Sequence, residues 1–316
     1  MSFSAILLAL LLEQARPLGP GNPVHATMRA WVRMARHNFD AGRHPHAWLA
    51  WSVAVLMPTL AALAVHWLLV STLGWFVAVL WSVAVLYVSL GFRQFSHHFT
   101  DIRDALEAGD EAEARRLLAA WRQIDASELQ TSEIIRQVIE HSVLAAHRHV
   151  FGVLACFSVL AALGLGPAGA VLYRLSEFVP RYWAHQSQVQ HQPVSAALLS
   201  ASNRIWNLVD WAPARITALG FAIVGSFEEA IDAWRTYAQT SDGAADQDSI
   251  ILAATSGAVN VRLGAGRPAP SPDNPGQTTD AEPQLAHLRS IVGLVWRSVV
   301  LWMVLLALVT LAKLLG

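Results

Sequence analysis

Long apolar runs separated by short polar stretches dominate this chain. Residues 47–92 run 46 positions without a Lys, Arg, Asp or Glu. Crossing about 30 Å of hydrocarbon takes roughly 20 apolar helical residues, so this run holds two spans. Ser71, Thr72 and Gly74 sit near its middle, where a tight helical hairpin would turn. Residues 149–173 form a second charge-free run, of 25 residues, and predict a third span. Arg297 interrupts the last apolar run near its start, and residues 298–312 complete it. The segment 205–224 is mostly apolar but holds Asp210, Pro213 and Arg215. A charge at the bilayer centre costs at least about 2.5–3.5 kcal/mol, so this segment is either buried among other helices or lies near the interface. The predicted fold class is all-α: a polytopic helical membrane protein with four or five transmembrane helices and a cytoplasmic helical hairpin. Residues 205–224 decide between the two counts.

The polar stretches organise the rest. Residues 1–12 are apolar, lack a basic residue before them and a small-residue cleavage site after them, and are too short for a span. They predict a half-inserted or buried helix, which with a basic segment makes up residues 1–46. Five Arg (16, 29, 33, 36 and 43) stand against Glu13 and Asp40 in residues 13–46, so the positive-inside rule places this segment in the cytoplasm. The hairpin 47–92 goes out and returns, which puts residues 93–148 in the cytoplasm too. There Asp110 with Glu113 reads as a capping box, followed by Ala114, Leu117, Leu118 and Trp121 on one helical face. Ser127 with Gln130 repeats the capping pattern ahead of a helix through Ile134, Ile135, Val138 and Ile139. The third span and the following apolar helix occupy 149–225. Residues 226–290 form a polar segment containing a linker at 268–284, whose five Pro and polar composition cannot bury a core. Residues 291–316 are the C-terminal transmembrane helix.

Composition agrees with lipid. The 316 residues are 54% hydrophobic and 14% charged, against about 25% charged in soluble domains. Trp48, Trp51, Trp67, Trp75, Trp296 and Trp302 lie within or near the ends of apolar runs, where indoles mark the headgroup layer. The expected surroundings are a membrane crossed several times. A net charge of −1 gives no reason to expect nucleic acid as a partner. The single cysteine, Cys156, lies in an apolar run and excludes disulfides within the chain and cysteine metal sites.

Few residues stand out as chemistry. Gly164, Gly166 and Gly169 match GxGxxG formally, but that fingerprint needs a strand before it and a soluble helix after it; close packing or a bend in a membrane helix accounts better for them. Thirteen His include His44 and His46, His97 and His98, His141, His147 and His149, and His185 and His191. None has the i, i+4 spacing with an accompanying acid that zinc sites on helices use, so no metal site is assigned and interfacial histidines are expected. His66, inside the hairpin, is expected to be neutral and bonded to a neighbouring helix. Asp210 and Arg215 are five apart, with Pro213 between them. Ionisable residues inside a membrane are functional candidates by default; a structural ion pair is the competing account. No internal repeat supports a transporter.

At this segment a family resemblance emerges. Asp210-Trp211-Ala212-Pro213-Ala214-Arg215-Ile216 resembles the (N/D)-aromatic-x-P-A-R-(L/I) segment of the CobD/CbiB superfamily. Ser256–Gly264 is similar to its AGALGxxLGG segment, and Asp125, Ser127 and Leu129, leading to Val138 and Glu140, resemble its D-x-S-x-L…VVE stretch. Better-known members are adenosylcobinamide-phosphate synthases of the inner membrane, which join aminopropanol or its phosphate to a corrinoid carboxylate in late cobalamin biosynthesis. The resemblance implies ATP-level activation of that carboxylate, acids for Mg²⁺ and cations for phosphate.

The chain departs from that pattern at the acids. Leu144, Ala145 and Arg148 replace a polar Glu, Asn and Asp cluster; Trp206 and Asn207 replace paired acids; Glu177-Phe178-Val179-Pro180 replaces an N-T-L-D motif. The AmpE branch, linked to control of β-lactamase induction, is similar at Leu208–Arg215 and Ala233-Trp234 and also lacks the cluster. The expectation is therefore an AmpE-like inner-membrane protein with a signalling or accessory role and no ligase activity. An active cobinamide-phosphate synthase is the alternative. On the first reading no cofactor is needed; ATP and Mg enter only with the second. Glu140, Asp210, Arg215 and Arg262 are the candidate ligand-binding residues, for a corrinoid or a signalling ligand, where the helix around Glu140 meets the 205–224 segment and the loop near Arg262. No catalytic residue and no protein partner are assigned.

Overall fold

The computed structural model describes residues 2–16, 22–40, 42, 44–189, 194–240, 246–264 and 281–315. Positions 268–280 of the expected linker lie outside the described residues, as does His191. Among the described residues the chain is all-helical, with a single isolated bridge between Val261 and Ala281. It divides into two compact units. The first comprises Met1–Phe92, Arg148–Pro213 and Leu306–Gly316; the second comprises Arg93–His147 and Ala214–Leu305.

In the first unit, α1 (Ser2–Ala15), α2 (Pro23–Phe39), α3 (His44–Thr72), α4 (Trp75–Ser89), α8 (Gly152–Ala162) and α9 (Ala168–Gln188) pack together with the first part of α10 (Ala196–Val224). Helices α3 and α4 meet at Gly74, whose φ of 85° only glycine adopts without strain. One side of α3 is small: Ala47, Ala50 and Ala54 are fully buried against α2 and α9. Its other side exposes Met57, Leu60, Trp67 and Leu68. Small residues inward and large apolar residues outward are the pattern of a helix that packs closely on one face and meets lipid on the other. Half-buried indoles lace the bundle, since Trp31 donates to the Val53 carbonyl at 3.3 Å and Trp81 to that of Ala62 at 3.2 Å.

The second unit holds α5 (Phe92–Glu107), α6 (Glu111–Arg122), α7 (Thr131–Ala146), the second part of α10, α11 (Phe227–Thr240), α12 (Gln247–Val259) and most of α13 (Leu285–Leu315). Asp110 caps α6 by accepting from the Glu113 amide at 2.9 Å. The second expected cap does not form. Asp125 takes both the amide and the hydroxyl of Ser127 in a local turn, and α7 starts after Gln130 with no side-chain cap. Helix α5 precedes α6 and α7, which pack on each other. Helices α11 and α12 approach at Gly257, where a Cβ would stand 2.2 Å from the Glu229 carbonyl oxygen.

Among the described residues, three helices are long and apolar enough to cross a membrane: Pro45–Thr72, Thr131–Ala162 and Leu285–Lys313. Two expectations change here. The run 149–173 is not one span, because the chain turns at Gly164 and Gly166, at φ of 81° and 54°, and starts again as α9. The helix leading into that turn is continuous from Thr131, through a π-helical stretch at His147–Phe151. A run free of charge thus hid one reversal made by two glycines. Segment 205–224 belongs to a single 29-residue helix, with Pro213 inside it, that is not among the three.

Candidate functional site

Helix α7 carries the first candidate residue. Its apolar face, Ile134, Ile135, Val138, Ile139 and Val143, is buried, which leaves its polar face for Glu133, Arg136 and Glu140. Arg136 grips Glu133 with two bonds of 2.6 and 2.7 Å and reaches Glu140 at 3.4 Å. Glu140 in turn accepts a 2.8 Å bond from the backbone amide of Gly264.

The loop that offers this amide is built by the end of α12. Asn260 adopts the left-handed conformation, at φ 51°, and stops the helix; the Val261 amide returns to the Ser256 carbonyl at 3.1 Å. The Ser256 hydroxyl closes onto the Val261 carbonyl at 2.7 Å, and the Arg262 amide bonds the Ala281 carbonyl at 3.1 Å. Gly264, at φ 84°, then turns its N–H toward α7. The construction leaves the Arg262 side chain half-buried, with no hydrogen-bond or ion-pair partner among the described residues. A carboxylate held by backbone and an uncommitted guanidinium two residues from that anchor are the means to orient an anionic ligand.

Arg215 lies elsewhere on the same unit. It donates to the Gln247 side chain at 2.7 Å, at the N-terminal end of α12. Two residues on, Thr217 shares a 2.9 Å hydrogen bond with the buried Nδ1 of His147 at the end of α7. The expected grouping therefore opens out along α12. Glu140 and Arg262 stand at its C-terminal end and Arg215 at its N-terminal end, about 20 Å apart for 13 residues at 1.5 Å each.

Asp210 belongs to the first unit. It is fully buried and accepts a 2.8 Å bond from the Tyr173 phenol. The Tyr173 ring meets Trp206 edge-on at 5.4 Å, and Gly152 makes room for it, since a Cβ there would lie 2.0 Å from Tyr173 Cζ. One turn along α9 from Tyr173, Glu177 is buried between Arg174, at 3.1 Å, and Arg181. Sequence reasoning passed over Tyr173, Arg174 and Gln247, and expected an interfacial histidine at His147, which is fully buried. The i, i+4 spacing of Tyr173 with Glu177 and of Glu177 with Arg181 was a usable signal for one buried polar face; nothing local to the sequence pairs Tyr173 with Asp210.

Comparison with known proteins decides the family. The family model described as CobD/Cbib protein matches residues 3–295. This chain belongs to the CobD/CbiB family. Among curated relatives, a protein of Stutzerimonas stutzeri named "Cobalamin biosynthesis protein CobD" is 31% identical over 309 residues, which cover 96% of this chain and 94% of the relative. A protein of Chromobacterium violaceum with the same name is 33% identical over 187 residues, 58% of this chain and 55% of that protein. No solved structure matches.

These relatives overturn the expectation of an AmpE-like signalling protein without ligase activity, because both CobD/CbiB relatives are named for cobalamin biosynthesis. The physical error lies in reading lost acids as lost activity. Leu144, Ala145 and Arg148 lie within about one turn of the continuous helix Thr131–Ala162, whereas Trp206 and Asn207 lie on α10. Trp206 packs on Tyr173 beside the buried Asp210.

Proposed function

We propose that this protein is a membrane-embedded synthase of late cobalamin biosynthesis, of the adenosylcobinamide-phosphate synthase type. It joins aminopropanol, or its phosphate, to the carboxylate of adenosylcobyric acid in an ATP-dependent reaction. The supporting observation is the 31% identity to a named cobalamin biosynthesis protein along 96% of the chain.

The geometry of the second unit suits such substrates. Glu140 is bonded to the loop that carries Arg262, and both corrinoid carboxylates and phosphates are anions that a guanidinium can hold. Among the described residues no three His, Cys, Asp or Glu side chains come close enough to hold a metal ion. Magnesium bound to a nucleotide does not call for such a cage, since it takes one or two protein carboxylates and completes its shell with phosphate oxygens and water. Glu140 is the carboxylate the site offers, and ATP with its magnesium enters as substrate.

The test is complementation. Expressed in a bacterial strain that lacks the synthase, this chain should restore conversion of added corrinoid acid to cobalamin. Failure to do so, with the protein present in the membrane fraction, would count decisively against the reading.

A further inference from the structure

Helix α10 is inside out for a helix in water. Its first part belongs to the first unit and its second part to the second, and each part turns polar groups inward within its own unit. In the first, Asp210 is fully buried and takes the Tyr173 phenol. In the second, Arg215 donates to Gln247, and the buried Thr217 shares its hydrogen bond with His147. The outward residues are apolar. Leu208 is 76% exposed and Trp211 53% on the first part, and Ile216, Leu219 and Ile223 are exposed on the second. Steps of three to five residues keep them on one face. Ala212 is the one other exposed residue between Leu208 and Ile223. Exposed polar residues bracket this face, with Arg204 and Asn207 before it and Glu228 after it.

A contiguous apolar strip bounded by polar residues marks a protein or membrane contact. Lipid fits here, because both units carry a helix long and apolar enough to cross a bilayer, α3 in the first and most of α13 in the second. Helix α10 has two ways to bring the strip to lipid: it crosses the bilayer, or it lies along the surface. Its neighbour in the second unit decides. Arg215, midway between Leu208 and Ile223, is bonded to Gln247, the first residue of α12, and the adjoining Asp246 is exposed. A crossing α10 would carry that exposed carboxylate to the bilayer centre, where a charge is strongly disfavoured. A helix lying flat leaves Asp246 on the water side and the strip on the lipid side.

We propose that α10 lies in the plane of the bilayer surface, with Leu208, Trp211, Ile216, Leu219 and Ile223 sunk among the upper acyl chains. Helices of this kind sit about 5–10 Å into the boundary between headgroups and chains, the level that an indole such as Trp211 favours. Their hydrophobicity is too low for a span, and α10 is not among the helices apolar enough to cross. The arrangement also accounts for Asp210 and Arg215 inside an apolar segment, since both are turned to the protein and away from lipid. The inference stands apart from the synthase reading, because membrane depth and cobalamin formation are separate readouts.

The full chain, with its single cysteine removed by Cys156→Ala, is reconstituted in vesicles of phosphatidylcholine and phosphatidylglycerol. It carries one nitroxide at a time, on Leu208→Cys, Trp211→Cys, Ile216→Cys, Leu219→Cys or Ile223→Cys. Collisions with oxygen and with a water-soluble nickel chelate report the depth of each label. All five are expected at one shallow depth, more accessible to oxygen than to nickel. Leu208 and Ile223 are 15 residues apart, about 22 Å along a helix, so a crossing helix would spread the depths over that range and overturn the proposal. Nickel access at all five, which means water, or exclusion of both reagents, which means cover by protein such as a second copy, would also overturn it. Trp211→Phe decides without labels or the cysteine change. The emission it removes is expected to be quenched by lipid brominated near the headgroup and spared by lipid brominated near the chain end; deep quenching, or none, sinks the proposal.

Discussion

Tyr173 and Asp210, on different helices of the first unit, are joined by a 2.8 Å hydrogen bond from phenol to carboxylate, and both side chains are fully buried. Tyr173→Phe keeps the ring against Trp206 but withdraws this donor from a buried acid, at a cost of about 1–3 kcal/mol. The Tm of the detergent-solubilised protein should fall clearly. An unchanged Tm would mean the bond contributes nothing.

Arg262 and Glu140 should separate function from folding. Arg262→Ala removes a half-exposed side chain without partners among the described residues, so its Tm should stay within the small range of surface substitutions, about ±0.5 kcal/mol. Synthase turnover in membranes should drop about a hundredfold if the guanidinium holds a reacting anion. Glu140→Ala also removes the acceptor for the Gly264 amide and should lower both. Normal turnover in Arg262→Ala removes this residue from the site.

Glycine contacts give a structural contrast. A Cβ on Gly257 would meet the Glu229 carbonyl at 2.2 Å, whereas one on Gly293 meets nothing within 4 Å. Gly257→Ala should therefore destabilise by about 1–3 kcal/mol, and Gly293→Ala should be neutral or gain up to about 1 kcal/mol of helix propensity. Parallel thermal unfolding of the two variants checks the difference, and equal midpoints would contradict the α11–α12 approach.

The pH response of α6 has a definite sign. The Thr131 hydroxyl, bonded to Glu111 at 2.5 Å, holds that carboxyl below its usual value, with Arg115 adding to the effect. Arg116 does the same for Glu113, and the Ser127 amide and hydroxyl for Asp125. A depressed folded-state pKa means stability that is present above the unfolded value and lost as pH falls through the folded one. These groups are solvent-exposed, so the loss is modest and screened by salt. Amide exchange in α6 and at the start of α7 should speed up as pH drops below the ordinary carboxylate range, after correction for intrinsic rates. Thr131→Val should flatten that dependence for α6.

The apolar runs made the helical class legible, and the P-A-R segment made the family legible, because both are local. Asp110 capping α6 was readable for the same reason. What could not be read was tertiary. Lack of charge in 149–173 said nothing about Gly164 and Gly166 turning the chain, since glycine's left-handed conformation leaves no mark on hydropathy. The candidate site was half legible: Glu140 and the Arg262 loop adjoin, but Arg215 is a helix length away and Asp210 lies in the other unit. The functional expectation failed because lost acids were read as lost activity, whereas the curated relatives are named for cobalamin biosynthesis.

On the proposed synthase reading, the length of helix α12 sets the scale for any substrate that would touch both of its ends. With Arg215 at one end and the Glu140–Arg262 corner at the other, a molecule as small as an amino alcohol can touch only one of them. Only something with the breadth of a macrocycle and its side arms spans both, so shortened corrinoid fragments should bind as if one arginine were missing.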